Sequence, residues 1–188
     1  DLVVPIFRHS VLLVDAIESV LSQVAPFGIK IILVNDGCPH PETDMVCRQF
    51  SRLYPDRITY LRKPNGGLSD ARNHGVRHIL ANLPELRAIY FLDADNTLRP
   101  PALARAYHVL QTCPDVGWVY PNIDMFGVST AHDYGGAYSR LLHSEMNLCE
   151  AGSLIRREVF EAGVMFDPQF QSGFEDWEFF LQAAGAGF

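Results

Sequence analysis

The chain has 188 residues and a formal net charge of −7, from 15 Lys and Arg against 22 Asp and Glu. That length suits one domain able to bury its own core, and the acidic balance excludes a broad electrostatic grip on nucleic acid. A small diphosphate pocket stays open to it, because a bound divalent cation offsets acidic residues locally. In chain order, Leu2–Ile6 reads as a strand of apolar and β-branched residues. A helix follows that Ser10 can cap, with Leu13, Ala16, Ile17, Val20, Leu21 and Val24 on one face. Ile29–Asn35 is a second strand, and residues 42–53 form a helix with Val46, Phe50 and Leu53 inward. Ile58–Leu61 is a third strand, and a helix starts at Ser69 and carries Val76, Ile79 and Leu80. Ala88–Leu92 is a fourth strand, and Pro100–Pro101 opens another helix. From Trp118 to Glu150 the pattern loosens, with Tyr134 to Tyr138 as loop. Ala151–Ile155 turns apolar and small, a short helix lies near residues 157–162, and a last helix begins near Phe174.

Strand–helix alternation implies an α/β fold, a mostly parallel sheet flanked by helices with right-handed crossovers. Such sheets bind ligands at the carboxyl ends of their strands. Phe7, Asp36, Asp93 and Asp95 all follow strand ends, so separate strands aim polar groups at one edge. Cys38, Cys47, Cys113 and Cys149 hold no C-x-x-C pair and read as buried, inert thiols of a cytoplasmic protein. No apolar run approaches the roughly 18 residues of a membrane span, and no signal peptide is visible. Both ends read as cut from a larger parent, through which the domain would reach the cytoplasmic face of a membrane.

Four segments carry chemistry. Asp93-Ala94-Asp95 places two carboxylates where they can share Mg²⁺ or Mn²⁺, hard cations that bridge to substrate phosphates; a polar turn is the plainer alternative. In Asn35-Asp36-Gly37 a strand delivers an acid into a turn, where a carboxylate can accept the N–H of a base edge or close an Asx turn. Asn65-Gly66-Gly67-Leu68-Ser69-Asp70-Ala71-Arg72-Asn73 combines close backbone approach, Ser69 as a helix cap and Arg72 in a first turn that favours anions. An ion pair between Arg72 and Asp70 is the alternative. Ser172 and Glu175 have capping-box spacing, which gives Glu175 a place at the helix end. Asp176, about 100° further round the helix, is left to face a cleft as a proton acceptor. Trp177 is a sugar-stacking platform or a core residue. His74 and His78 stand one turn apart but lack a third zinc ligand, and Ser153 lacks a nucleophile elbow.

Together these residues resemble glycosyltransferase family 2, the large inverting GT-A family. The likeness runs in order through Val4-Pro5-Ile6-Phe7, Ser19-Val20-Leu21-Ser22-Gln23, Val34-Asn35-Asp36-Gly37, the Asn65–Asn73 segment, Phe91-Leu92-Asp93-Ala94-Asp95 and Gly173-Phe174-Glu175-Asp176. It implies a single GT-A domain over residues 1–188, with a nucleotide-binding half to 120 and an acceptor and catalytic half from 121. It implies that a sugar passes from a nucleoside-diphosphate donor, a UDP-sugar by default, to a glycan, lipid-linked or other hydroxyl acceptor in polysaccharide or cell-envelope synthesis. Pro5 and Phe7 would line the base pocket, Asp36 and Arg72 hold the base, and Asp93 meet the ribose. Asp95 would hold the metal and diphosphate, Asp176 would be the catalytic base, and Glu175 and Trp177 would lie on the acceptor side. A non-catalytic nucleotide-sugar or glycan-binding module is the rival from another class. A nucleotidyltransferase is disfavoured, because Phe7-Arg8-His9-Ser10 replaces the Gly-rich basic loop it needs.

Overall fold

The computed structural model describes residues 1–8, 11–124 and 136–188. His9, the expected cap Ser10, and Tyr134 and Gly135 of the expected loop lie outside the described residues. The elements run β1 (Leu2–Ile6), α1 (Leu12–Leu21), β2 (Ile31–Asp36), α2 (Pro41–Leu53), β3 (Ile58–Lys63), α3 (Leu68–Asn82), β4 (Ala88–Phe91) and α4 (Ala102–Thr112). They continue through β5 (Trp118–Val119), α5 (Arg140–Glu145), β6 (Leu154–Arg156), α6 (Arg157–Glu161) and α7 (Glu175–Gly185).

Among the described residues the strands form one six-stranded sheet in the order β3-β2-β1-β4-β6-β5. The first four are parallel, as the alternation predicts, with Val3 opposite Ile32 and Phe91. β6 runs antiparallel to both β4 and β5. Its amino end therefore lies at the edge where the parallel strands have their carboxyl ends.

Side chains alternate across a strand, and the two faces sort accordingly. Leu2, Val4, Ile6, Ile31 and Leu33 point to one core with Leu13, Ile17 and Val20 of α1 and Leu103 and Leu110 of α4. Val3, Ile32, Val34, Ile89 and Phe91 point to the other, with Val76 and Ile79 of α3, Val159 and Phe160 of α6 and Phe179 and Phe180 of α7. The result is an α/β sandwich of helices on both faces of a mostly parallel sheet. α3 lies close against β1 at Gly75, where an added Cβ would meet Val3 Cγ1 at 2.5 Å.

Several expected core positions are not core. Val24 lies beyond the end of α1 and is exposed, and Leu53 is exposed in the last turn of α2, which buries Thr43 and Cys47 instead. Cys38, Cys47 and Cys149 are buried, whereas Cys113 is exposed at the end of α4. Burial pushes the Cys47 and Cys149 thiols up to about 12, which keeps both protonated and inert. Among the described residues no helix is long and apolar enough to cross a membrane.

Candidate active site

The carboxyl edge of the sheet collects the polar residues. Pro5 is buried within β1, and Phe7, just past it, is exposed with the Arg8 guanidinium 4.9 Å from its ring centre. Asp36 ends β2 and is only 2% exposed. Its carboxylate accepts from Lys63 Nζ at the end of β3, from Asn65 Nδ2 at 2.9 Å, and from the Gly66 and Gly67 amides at 3.0 and 2.9 Å. Both oxygens are thus occupied by the chain itself. Asp36 anchors the loop from Asn65 to Gly67 through glycine amides, the Asn65 amide and a lysine. Gly67, at φ 88°, turns that loop into α3. Ser69 does not cap the helix: it sits inside the first turn, buried, and its hydroxyl has no partner among the described residues. Asp70 pairs with Lys63 at 2.6 Å and not with Arg72.

Arg72 is buried, its side chain 2% exposed. It donates from Nη1 to Glu175 Oε1 at 2.9 Å and from Nη2 to Asp93 Oδ1 at 3.0 Å. Its guanidinium lies 5.1 Å from the centre of the Phe166 ring, and Asn73 clamps the Phe166 backbone by donating to its carbonyl at 2.6 Å and accepting from its amide at 3.0 Å. The structure therefore brings Arg72 to two carboxylates on separate elements, one after β4 and one at the head of α7. It does not bring it to an open base or diphosphate face.

The capping box is not formed. Phe174, in the left-handed conformation at φ 67°, occupies the cap position of α7, and Ser172 is exposed outside the helix. A buried guanidinium competes for Glu175 more strongly than a surface serine and its backbone do. Glu175 is consequently paired with Arg72, and its neighbours Asp176 and Trp177 are half-buried.

Asp176 is half-buried, with Oδ1 accepting from Asn147 Nδ2 at 3.2 Å and from the Trp177 amide at 2.7 Å. Oδ2 accepts no hydrogen bond from a described residue and is not sealed from solvent. Burial raises the Asp176 carboxyl above its ordinary value, against the Trp177 amide that lowers it, and the Glu175 charge raises it further. Trp177 is fixed by its indole N–H, which donates to the His143 carbonyl at 2.6 Å, so its ring bridges α5 and α7.

Three residues here were not anticipated from the sequence. Glu150 stands just before β6, and burial first, then the charges of Asp176 and Asp93, raise its carboxyl. The antiparallel entry of β6 delivers it to this edge, and a strand's composition does not tell its direction. Asn147 holds Asp176. His143, buried in α5, accepts from the Leu148 amide at 3.1 Å and so fixes the turn that carries Asn147; burial lowers its pKa.

Asp95 lies exposed in the turn after β4, and the Asp93 side chain is 40% exposed. Among the described residues no three His, Cys, Asp or Glu side chains form a group able to hold a metal, which covers His74 and His78 as well. Ser153 is fully buried and donates to the Glu150 carbonyl. A cavity of about 810 Å³ opens at the opposite edge, between Lys30, Arg57, Arg87 and Tyr107, away from all of this chemistry.

The profile of Glycosyl transferase family 2 matches residues 1–164. The chain belongs to glycosyl transferase family 2. Minor teichoic acid biosynthesis protein GgaB of Bacillus subtilis is 38% identical over 97 residues, 51% of this chain and 10% of that protein. Minor teichoic acid biosynthesis protein GgaA of the same organism is 36% identical over 110 residues, 57% of this chain and 24% of its own length. Among solved structures, Staphylococcus aureus TarS residues 1–349 in complex with UDP-GlcNAc superposes with a TM-score of 0.75 at 15% identity, over 97% of this chain and 52% of that one. The mannosyltransferase PcManGT of Pyrobaculum calidifontis, in complex with GDP-Man and Mn²⁺, gives 0.73 at 17% identity, over 100% of this chain and 52% of that one. The fold is thus that of GT-A glycosyltransferases, and the chain spans a quarter or less of those two teichoic acid relatives.

Proposed function

We propose that this chain is the donor-binding and catalytic part of an inverting glycosyltransferase. The observation that carries the proposal is Asp176: anchored through one oxygen, open at the other, and raised by burial toward the range where a carboxylate is a useful base. Its Oδ2 takes the proton of the acceptor hydroxyl as that oxygen attacks the anomeric carbon, and the bond to the nucleoside diphosphate breaks on the opposite face. A single displacement inverts configuration.

Pro5 and Phe7 line the base side. Asp36 acts there through the Asn65–Gly67 loop it holds, and Arg72 acts by fixing Asp93 for the ribose. Asp95 is the metal and diphosphate ligand. The donor chemistry fits: Mg²⁺ and Mn²⁺ sites commonly use one or two carboxylates plus substrate phosphates, not an all-protein cage. When bound, such a cation offsets the charge developing on the departing diphosphate. Residues 1–120 form the nucleotide half and the remainder the acceptor half of one domain. Transfer to a cell-wall or other polysaccharide acceptor agrees with the names of the teichoic acid relatives, and UDP-sugar or GDP-sugar donors agree with the ligands of TarS and PcManGT.

Nucleotide release measured with and without acceptor, for wild type, Asp176→Asn and Glu175→Gln, tests the reading. Asp176→Asn should bind UDP normally and turn over poorly. Release that no acceptor stimulates would mark a binding module. A normal Asp176→Asn beside an inactive but folded Glu175→Gln would exchange the two acids.

A further inference from the structure

Phe174 is an anomaly. A bulky side chain seldom adopts a left-handed backbone, because its Cβ crowds the following carbonyl. Phe174 does so at φ 67°, directly after Gly173 at φ 98°. Burial does not account for it, since the residue is 63% exposed. Its cap position needs no phenyl ring, and Phe174 makes no side-chain cap hydrogen bond. What the conformation does is set the ring beside Trp177, with centroids 6.0 Å apart, two residues before Asp176. Trp177 in turn is locked to the His143 carbonyl, so the exposed ring has a fixed neighbour. Strained backbone that holds an exposed ring against a locked neighbour, with no burial to account for it, points to a task for the side chain.

The surroundings restrict that task. Asp93, Glu150 and Asp176 converge here, and the guanidinium among them, Arg72, is buried and bound to Asp93 and Glu175. In residues 121–188 the Lys and Arg positions are Arg140, Arg156 and Arg157 alone. Arg156 and Arg157 donate to the carbonyls of Val116, Cys113, Leu83 and Leu80. A chain of phosphate-linked alditols would bring negative charge to an edge already rich in carboxylates. A neutral pyranose offers an apolar C–H face to an aromatic ring and hydroxyls to carboxylates.

Resting on the transferase reading above, we infer that Phe174 is a specificity residue for the acceptor, and that the acceptor's terminal unit is an uncharged sugar ring stacked on it. Phe174 shapes acceptor use and leaves the donor alone.

The test compares wild type, Phe174→Asn and Phe174→Tyr in the whole protein. Asparagine tolerates the left-handed backbone, so Phe174→Asn removes the ring without adding strain. Acceptors are neutral p-nitrophenyl pyranosides on one side and glycerol phosphate and ribitol phosphate oligomers on the other, with UDP affinity in Mn²⁺ and thermal unfolding in parallel. Pyranosides should be used and the oligomers not. Phe174→Asn should raise the acceptor KM by about 3- to 10-fold, with UDP affinity and Tm held, and Phe174→Tyr should restore it. An unchanged KM, a Tm that falls with the ring, or preference for the oligomers overturns the inference and leaves transfer itself intact. A wild-type protein that consumes no nucleotide sugar with any acceptor fails the transferase reading, and this inference with it.

Discussion

Glu175→Gln tests the internal architecture of the site. The substitution keeps size and one acceptor oxygen for Arg72 Nη1 but deletes the charge. Arg72, at 2% exposure, has no water to replace it, and the side chain of its remaining partner Asp93 is 40% exposed and therefore screened. Breaking a buried ion pair outright costs about 3–5 kcal/mol, and losing a charged hydrogen bond costs about 1.5–3 kcal/mol. Since glutamine still accepts and Asp93 still neutralises, the lower range applies, about 2 kcal/mol. For a domain of this size each kcal/mol moves Tm by about 2–4 °C, which gives a fall of about 4–8 °C. Thermal unfolding followed by circular dichroism reads it directly. The double variant Arg72→Met/Glu175→Leu should lose less than the sum of its single changes, because neither partner is left buried alone. A Glu175→Gln protein melting within about 1 °C of wild type would refute the buried-pair reasoning and restore the plain helix-end role.

Other expectations follow from the same geometry. Asp176→Asn should lower turnover by about 10²–10⁴-fold with unchanged UDP affinity, measured in a coupled assay for nucleotide release. Because burial raises the folded Asp176 carboxyl, its stabilising contribution is complete below the unfolded value of 3.8 and is lost as pH rises through the raised value. Asp176→Asn should thus melt at or above wild type at pH 7, and wild-type turnover should climb with pH across the acid range; a lower Tm for the variant counts against the raised carboxyl. Asp36→Ala leaves Lys63 with Asp70 but strands the Gly66 and Gly67 amides, so it should cost about 2–4 kcal/mol in urea unfolding as well as donor affinity. Chelating Mg²⁺ and Mn²⁺, or changing Asp95 to Asn, should weaken UDP binding, and equal UDP affinity with chelator and with Mn²⁺ contradicts the role given to Asp95.

The sheet was legible because its strands are short apolar runs with turn residues between them, and β1 agrees residue for residue with the expected Leu2–Ile6. The misplacements have local causes. Helix periodicity continues through Val24 on paper, but α1 ends at Leu21 and the chain leaves the core. The site was legible as a set of residues on one edge, because strand ends fix position. Pairing was not legible. Asp36 finding Lys63, and Arg72 finding Glu175 across 103 residues of sequence, are decided by tertiary packing. The capping-box reading of Glu175 used a local rule where a distant guanidinium had the stronger claim. Glu150 escaped notice because a strand's direction is not written in its composition.

Gly75 gives the site a mechanical foundation in the core. One helical turn separates it from Arg72, and its missing Cβ is what lets α3 rest directly on Val3. The helix is rigid over that distance, so its height above the sheet sets how far the guanidinium reaches toward Asp93 and Glu175. A methyl group at 75 would lift α3 as a unit and draw Arg72 back from both carboxylates. A position buried against the sheet thus bears on charge spacing at the edge, and a repacking tolerable for the core alone would be felt in the register of the two acids.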